Sequence, residues 1–296
     1  MSRPTVAGVG APTLPARAVK GVVLLLCCAA VIIPFVAIVS TSLANRQQVT
    51  RSGGLVLFPR HVSFAAYQAI LSGGVVTRAA MVSVFIAVAG TTLSLVSTTL
   101  LAYGLSRSGS FAHKPFLMVV LFSLLFTPGI IPSYLVVKSL GLLNTYWALL
   151  LPVMINAFNT IVLRAFFMEL PQELIDSARI DGAGDFAILW RIVLPLSKAV
   201  LAVIGLFYAV QYWNSFFTAL LYLDDNAMWP LQLVLRTYVV NQAELGVDQL
   251  GGGADLPPRE AIQMAILVLS IVPIVVVYPF VQRHFTKGVL IGAVKG

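Results

Sequence analysis

Six long apolar segments occupy most of this chain, and they constrain its fold more than any other feature. Each is about as long as the ~20 helical residues needed to cross the hydrocarbon core of a bilayer. In lipid, only helices and closed barrels satisfy their own backbone hydrogen bonds, and these segments are continuously apolar rather than alternating. We therefore expect an all-α, polytopic membrane protein with six transmembrane helices. The predicted spans are residues 21–43, 79–105, 115–140, 146–167, 199–223 and 261–281.

The charged residues fit the same interpretation. Of the 296 residues, 59% are hydrophobic and only 10% are charged, so most of the surface does not face water. The net charge of +8 is spread in ones and twos between the spans, without the basic stripe of a nucleic-acid-binding protein. If the N-terminus is cytoplasmic, 12 Lys and Arg residues lie inside and 7 outside. The positive-inside rule then places both termini in the cytoplasm.

The segments outside the spans divide the rest of the chain. Residues 1–20 are typical of a disordered cytoplasmic tail, and the apolar run after them is too long for a signal-peptide core, so we interpret it as a membrane anchor. The extracytoplasmic residues 44–76 contain a short amphipathic helical pattern around Tyr67. The acidic outer segment 224–260 is either a docking site for a partner or a solvated loop. Residues 283–296 form a cytoplasmic tail.

Prolines inside the spans predict bends or breaks, because each removes a backbone hydrogen-bond donor. They are Pro34, Pro128, Pro132, Pro152 and Pro273. The strongest break is expected at Pro128-Gly129, together with Pro132.

One charged segment differs from the spans around it. Residues 169–198 separate the fourth and fifth spans, and roughly 30 residues are too many for a simple connection. Pro171 favours a helix start, and this helix is expected to reach about Ile180. Gly182 then allows a turn that other residues resist.

A second helix is predicted after this turn. Asp185 is expected to cap it, and it should run from Phe186 to Val193 and end at Pro195. The segment is therefore a helix-turn-helix at the cytoplasmic membrane surface. Asp181 breaks a local rule, because an acid is unfavourable at the C-terminal end of a helix. Such exceptions occur at functional sites, although Asp181 could instead cap the second helix.

The spacing within this segment resembles a known signature. The residues that carry it are, in order, Asp176-Ser177-Ala178, Gly182, Ile192 and Leu194-Pro195. They are separated by three residues, nine residues and one residue. This resembles the EAA signature of type I ABC importer permeases, which is Glu-Ala-Ala, then Gly, Ile and Leu-Pro at the same spacing. Asp176 stands where the family has Glu and Ser177 where it has Ala, and these changes preserve charge or small size.

The C-terminal part of the chain resembles the carbohydrate branch of that family. The matching stretches are Tyr278-Pro279-Phe280, Gln282-Arg283-His284-Phe285, Lys287–Gly296 and, in the fifth span, Trp213-Asn214. They look like carbohydrate importer permeases of the maltose type, and closest to a branch associated with complex or plant-derived oligosaccharides. The resemblance covers residues 77–296, so residues 77–282 are expected to form the ABC importer transmembrane domain.

The resemblance implies a transport subunit rather than an enzyme. It implies a sister permease, a pair of ATP-binding subunits and an extracytoplasmic solute-binding protein, in a bacterial cell membrane. ATP hydrolysis is expected on the partners, since the sequence has no phosphate-binding loop motif, and no cofactor or metal is expected. The expected cargo is a sugar or oligosaccharide, with a non-sugar such as glycerol phosphate as the alternative.

By the same resemblance, residues 169–198 are the coupling loop that docks on an ATPase subunit. The residues assigned to coupling are Glu173, Asp176, Ser177, Ala178, Asp181, Gly182, Ile192, Leu194 and Pro195. Acids of the loop are expected to meet basic residues, and apolar side chains are expected to fill pockets on the ATPase. These apolar side chains are Leu174, Ala178, Ile188 and Ile192. Closure of two ATPases on ATP would push the loops together and turn the cavity outward, which requires ligands that bind the two states differently.

Polar side chains within the spans are candidates for the sugar path, because they are costly in lipid and often functional. Asn156 and Asn159 share one helix face, and so do Gln211 and Asn214. The full set is Asn156, Asn159, Gln211, Tyr212, Trp213 and Asn214. Hydrogen bonding between helices is the alternative explanation.

Two other classes of membrane protein are disfavoured. A secondary transporter should carry ionisable residues within its spans, whereas only Arg164 comes close and it lies near a span end. A membrane enzyme would need a catalytic constellation, and His61, His113 and His284 lie in three separate segments.

Overall fold

The computed structural model describes residues 14–107, 109–241 and 257–292. Within these ranges the chain folds into helices and turns, and extended backbone pairs only in an isolated antiparallel bridge between Ala44 and Val62. The all-α class predicted from the apolar segments is therefore confirmed.

The α-helices are numbered in chain order. They are α1 (Leu14–Ser42), α2 (Arg46–Arg51), α3 (Ala65–Leu71), α4 (Val75–Ser106), α5 (His113–Leu125), α6 (Ile130–Ser139), α7 (Trp147–Leu150), α8 (Ala157–Met168), α9 (Gln172–Ile180), α10 (Asp185–Ile188), α11 (Leu194–Leu196), α12 (Lys198–Trp213), α13 (Phe216–Tyr222), α14 (Leu231–Leu235) and α15 (Arg259–Gly292). Shorter 3-10 and π turns extend or link some of them, at Leu151–Val153, Leu189–Val193, Asn226–Met228 and Arg236–Val240.

Several of these helices can cross a membrane. Three are long and apolar enough by themselves: Pro15–Ser42, Val75–Ser106 and Arg259–Pro279. Two bent pairs are also sufficiently apolar: Trp147–Val153 with Ala157–Met168, bent by 50°, and Asp185–Leu196 with Lys198–Trp213, bent by 84°. The described residues thus contain three to five spans by length and composition, which confirms a polytopic architecture.

The remaining predicted span, residues 115–140, is divided between α5 and α6. Residues 126–129 between these helices are not helical. Gly129 has a φ of 81°, in the left-handed region that glycine reaches at little cost. The break expected at Pro128-Gly129 is therefore confirmed.

The other prolines differ in their effect. Pro152 lies in the 3-10 turn that separates α7 from α8. Pro34 and Pro273 lie inside the continuous helices α1 and α15. The fifth predicted span is also interrupted, at Asn214 and Ser215 between α12 and α13, where no proline indicated a break.

The two ends of the chain are more helical than the sequence predicted. Residues 14–20 were predicted to belong to a disordered tail, but they are helical because α1 begins at Leu14. The rest of that tail, residues 1–13, lies outside the described residues. α15 continues into the predicted C-terminal tail as far as Gly292. The middle of the acidic outer segment, from residue 242 to 256, is also outside the described ranges.

The chain divides into two compact units, and the first comprises residues 14–69 and 257–268 of the described part. A short helix predicted around Tyr67 is present as α3. The Tyr67 hydroxyl lies 2.7 Å from the Ser42 Oγ. The backbone N–H of Val56 donates to the Thr41 Oγ1 at 2.9 Å. These bonds tie the end of α1 to the segment after it.

The second unit comprises residues 70–241 and 269–292 of the described part. Its centre is the packing of α4 against α8 and α12. Ile86, Ile204 and Tyr208 are completely buried there. Gly90 on α4 provides the space that the ring of Tyr212 on α12 occupies. The candidate site is built on one end of this packed group of helices.

Candidate functional site

Residues 169–198 begin with a helix and a tight turn where the sequence predicted them. α9 follows Pro171, which occupies its N-cap position, and ends at Ile180. Gly182 has a φ of 85°. Its N–H donates to the Arg179 carbonyl at 3.0 Å, and the next N–H, of Ala183, donates to the Ala178 carbonyl at 2.9 Å. This is the Schellman pattern of a helix C-terminus, in which a glycine takes the left-handed position.

The second helix differs from its predicted boundaries. Gly184 is at the N-cap position without a side-chain hydrogen bond, so the prediction that Asp185 caps the helix is wrong. Asp185 is instead the first helical residue, where its charge favours the positive helix end. The helix continues through the π turn Leu189–Val193 to Leu196, so it does not end at Pro195. Pro195 lies in its last turn, directly after the wider π turn.

Asp181 occupies the C-cap of α9. Its backbone N–H donates to the Ser177 carbonyl at 3.0 Å. Gly184, not Asp181, precedes the second helix, so the alternative that Asp181 caps that helix is wrong as well.

The underside of the segment packs onto the main helices. Ile175, Ile188, Leu189 and Val193 are buried against side chains of α4 and α8. The partners are Ala102, Tyr103, Leu163 and Phe167. Burial of one such aliphatic side chain stabilises a fold by about 1.5–3 kcal/mol. The segment is therefore packed firmly onto the ends of α4 and α8.

Polar contacts reinforce this attachment. The Tyr103 hydroxyl on α4 donates to the Asp185 carbonyl at 3.1 Å. Arg164, near the end of α8, donates its Nε–H to the Leu105 carbonyl at 2.8 Å. This carbonyl is one of the groups that a helix C-terminus leaves without an intrahelical partner. The arginine thus joins α8 to the end of α4, a role that its sequence position did not indicate.

The outer face of the segment combines apolar and acidic side chains. The exposed fractions of Ile180, Phe186 and Trp190 are 87%, 71% and 65%, and Leu174 is 46% exposed. The rings of Phe186 and Trp190 are stacked with an angle of 13° between their planes. Large exposed apolar side chains grouped in this way are typical of an interaction surface.

Part of the predicted contact set is therefore wrong. Ile188 is completely buried, so it cannot fill a pocket on another protein, whereas Ala178 and Ile192 are half-buried against the same core and keep part of their surface exposed. Ile180, Phe186 and Trp190 were missed. The i, i+4 spacing of Phe186 and Trp190 was the available signal, but both sides of this helix are apolar, and the sequence does not show which side is covered.

The motif residues lie on both faces. The side chains of Glu173, Asp176, Ser177 and Asp181 are exposed. None of these three acids makes an ion pair within the described ranges, where Asp185 pairs with Arg179 at 3.5 Å. Leu194 is half-buried and Pro195 is exposed.

Most of the polar residues within the spans make contacts inside the chain. Asn156 caps α8, because its Oδ1 accepts from the Asn159 N–H at 3.1 Å. The Tyr212 hydroxyl donates to the Leu150 carbonyl at 3.2 Å and lies 2.8 Å from the Ser94 Oγ. Such bonds satisfy backbone groups that the break between α7 and α8 leaves without helical partners.

Tyr208 and Trp213 make similar contacts. The Tyr208 hydroxyl accepts from the Asn156 N–H at 3.0 Å. The Trp213 Nε1–H donates to the Ser270 carbonyl at 2.9 Å, on α15. Trp213 is therefore a link between helices, as the alternative explanation expected for this set.

Two of the predicted path residues remain on an open face. Gln211 and Asn214 are exposed, and so is Phe207, one turn earlier on α12. The spacing i, i+4, i+7 puts all three on one side of α12. Asn159, by contrast, is buried in α8. The exposed side of α12 thus presents one aromatic ring and two amides.

Comparison with known proteins identifies the family. Residues 96–291 match the family described as binding-protein-dependent transport system inner membrane component. The chain belongs to this family. It is therefore the permease subunit of an ABC importer and a multi-pass protein of the bacterial cell membrane, as the EAA-like spacing predicted.

Individual relatives of this permease extend the likeness over nearly the whole chain. It is 46% identical over 267 residues to the polygalacturonan/rhamnogalacturonan transport system permease protein YtcP of Bacillus subtilis strain 168, covering 90% of this chain and 93% of YtcP. It is also 46% identical over 267 residues to Protein LplC of the same strain, covering 90% of each.

A solved structure supports the same assignment. The permease resembles a chain from the crystal structure of a bacterial ABC transporter involved in the import of the acidic polysaccharide alginate. The TM-score is 0.84 at 30% identity, over 94% of this chain and 100% of that one.

Proposed function

We propose that this permease, together with a sister permease, forms the path of an importer for acidic oligosaccharides. An extracytoplasmic binding protein delivers the cargo, and two ATP-binding subunits on the cytoplasmic side drive the cycle. The proposal is supported by the structure of residues 169–198. This segment has an exposed apolar and acidic face, and its opposite side is buried against α4 and α8 through Ile175, Ile188, Leu189 and Val193, here called its root.

This segment is suited to act as the coupling loop. Its exposed Leu174, Ile180, Phe186 and Trp190 would enter pockets of an ATPase subunit, because large apolar side chains dominate the energy of most interfaces. Asp176 and the other unpaired acids would meet basic residues around those pockets. Since the root is shared with α4 and α8, a displacement of the loop reaches both helices.

The substrate class follows from the relatives. YtcP is named for polygalacturonan and rhamnogalacturonan, and the structural neighbour takes part in the import of alginate. Polygalacturonan and alginate are both polymers of uronic acids, so their fragments share ring carboxylates and hydroxyls. We infer that this permease carries fragments of that kind.

The exposed side of α12 is the proposed sugar-contacting surface. Phe207 offers a ring on which a sugar face can stack, and Gln211 and Asn214 offer donors and acceptors for hydroxyl groups. Amide side chains are unfavourable against lipid, so this side is expected to line the path.

The test is ATP hydrolysis by the reconstituted importer. The chain is co-expressed with its sister permease and ATPase, placed in lipid and assayed with and without loaded binding protein. Gly182→Pro cannot adopt the φ of 85°, and Asp176→Lys reverses an exposed charge, so both should lose substrate-stimulated hydrolysis while still assembling. Lys114→Glu reverses a charge outside the loop and serves as the matched control.

The same assay identifies the cargo. Oligogalacturonides should stimulate hydrolysis, whereas neutral maltose-type sugars and glycerol phosphate should not. If both loop variants hydrolyse ATP and import like the parent, the segment is only a connector. Stimulation by glycerol phosphate alone would instead retain the coupling assignment and replace the sugar assignment.

A further inference from the structure

A polar cleft of about 630 Å³ lies beside the proposed coupling loop. One wall is the last turn of α4 with Arg107, Gly109 and Ser110, and the other is formed by residues of α9 and by Asp185 at the start of α10. Polar side chains that line it are Ser106, Arg107, Ser110, Gln172, Arg179 and Asp185. Gln172 and Arg179 are seven residues apart, so both lie on the same face of α9.

The cleft has the donors that an anion needs. Two guanidinium groups, of Arg107 and Arg179, and a single carboxylate, that of Asp185, line the cleft, so the lining carries a net positive charge. Arginine presents several N–H groups in a rigid planar fork, which matches the oxygens of a phosphate. The Ser110 hydroxyl and the Gln172 amide also line the cleft and add neutral donors.

Arg107 has an unused donor. Its Nη2 donates to the Tyr103 hydroxyl at 3.2 Å, and its guanidinium carbon lies 4.9 Å from the centre of that ring. Its Nε–H is buried and has no hydrogen-bond partner. Buried donors in folded proteins almost always have a partner, so this group requires an explanation. An anion in the cleft would supply an acceptor once the guanidinium turns to expose this N–H.

Arg179 is also weakly held. Its contact with Asp185 is 3.5 Å long, and the two side chains are 51% and 71% exposed. An exposed ion pair of this length contributes little to stability. The guanidinium can therefore turn from Asp185 toward a bound anion at low cost.

From these features we propose that the cleft binds a phosphate group, either that of an anionic phospholipid or that of a soluble phosphate ester. The cleft lies at the end of α4, where the second predicted span reaches the membrane surface, so a phospholipid of the inner leaflet can reach it. The placement of the cleft at the inner leaflet rests on the proposed function. A bound phosphate would join Arg107 on the α4 side to Arg179 on α9 and fasten the coupling loop more tightly to the membrane helices.

Binding is measured on the purified importer in detergent, without ATP. Native mass spectrometry counts bound phosphatidylglycerol, with phosphatidylcholine as the headgroup control, and a separate titration follows thermal stabilisation by inorganic phosphate. Arg107→Gln and Arg179→Gln should each weaken anion binding about tenfold, because each removes charge-assisted hydrogen bonds. Lys114→Gln removes a nearby charge outside the cleft and should leave the affinity unchanged.

Asp185→Asn is the decisive variant. It breaks the same ion pair as Arg179→Gln but removes the negative charge from the cleft, so it should tighten anion binding. A merely structural role for the pair would make both variants weaken binding alike.

These measurements distinguish a phospholipid ligand, a soluble phosphate ligand and the absence of an anion site. Preference for phosphatidylglycerol identifies a lipid site, and stabilisation by inorganic phosphate alone identifies a soluble ligand. Anion binding that none of the cleft variants changes overturns the proposal. The proposal is also overturned if the Asp185→Asn variant binds anions more weakly than the parent. It is overturned as well if the only defect of the cleft variants is loss of the ATPase subunit. Because no ATP is used, failure of the coupling proposal would not alter these results.

Discussion

Gly90 allows a sharp test of how α4 and α12 pack. A Cβ atom added at Gly90 would lie 2.7 Å from three ring carbons of Tyr212, whereas ordinary contacts between carbon atoms are about 3.5–4.0 Å. Tyr212 cannot easily retreat, because it is buried and its hydroxyl is bonded to the Leu150 carbonyl and lies beside the Ser94 Oγ. Gly90→Ala must therefore shift a helix or pull the ring from its partners.

The magnitude can be worked out from these contacts. Overpacking of this kind costs about 1–3 kcal/mol. Leaving a buried hydrogen-bonding group without its partner adds about 1–3 kcal/mol if the ring moves. Alanine returns about 1 kcal/mol of helix propensity. If the ring moves, these terms together lower the free energy of unfolding of Gly90→Ala by about 1–5 kcal/mol.

The assay is thermal unfolding of the purified permease in detergent. Gly104→Ala, on the same helix with nothing within 4 Å of the added Cβ, is the matched control and should be neutral or stabilising. The Gly90→Ala midpoint should fall by several degrees, since about 1 kcal/mol shifts it by roughly 2–4 °C in a chain of this size class. In a Tyr212→Leu background the added methyl should no longer be harmful. Equal midpoints for Gly90→Ala and Gly104→Ala would refute the reasoning.

Three further predictions concern the loop, its root and the path. Gly182→Asn should keep substrate-stimulated ATP hydrolysis, because asparagine tolerates the φ of 85°. Gly182→Val should lose this hydrolysis and about 1–2 kcal/mol of stability, because a β-branched residue does not tolerate that φ. Equal activity of the two variants would contradict this. Arg164→Met should cost about 1.5–3 kcal/mol in thermal unfolding, because the Leu105 carbonyl loses a charged donor at 2.8 Å, and an unchanged midpoint would show that water replaces it. Gln211→Ala and Asn214→Ala should each raise the KM for transported sugar about 2–10-fold, the equivalent of one lost hydrogen bond, and an unchanged KM would remove that residue from the path.

The broad architecture was predictable because it depends on segment length alone. About 20 apolar residues in a row leave few alternatives to a membrane helix. Pro128-Gly129 likewise predicted a break from local chemistry, since proline lacks a donor and glycine accepts a positive φ. The break at Asn214 and Ser215 has no such local signal and was not predicted.

The orientation of the helices within residues 169–198 could not be read from the sequence. Ile188 and Phe186 are both apolar and only two residues apart, yet one is completely buried and the other is 71% exposed. The difference is set by Tyr103 and Phe167, which come from distant segments and cover one side of the helix. Periodicity shows that a helix has an apolar face but not which neighbour covers it.

The 84° bend between Asp185–Leu196 and Lys198–Trp213 has a mechanical consequence. Ser197 at the bend is completely buried, so the angle between the two helices is held by the packing around it. A push along the shorter arm would arrive almost at right angles to the axis of α12. It would act on α12 as a torque, tilting the helix instead of sliding it along its length. Gln211 and Asn214, near the far end of that lever, would swing through the widest arc.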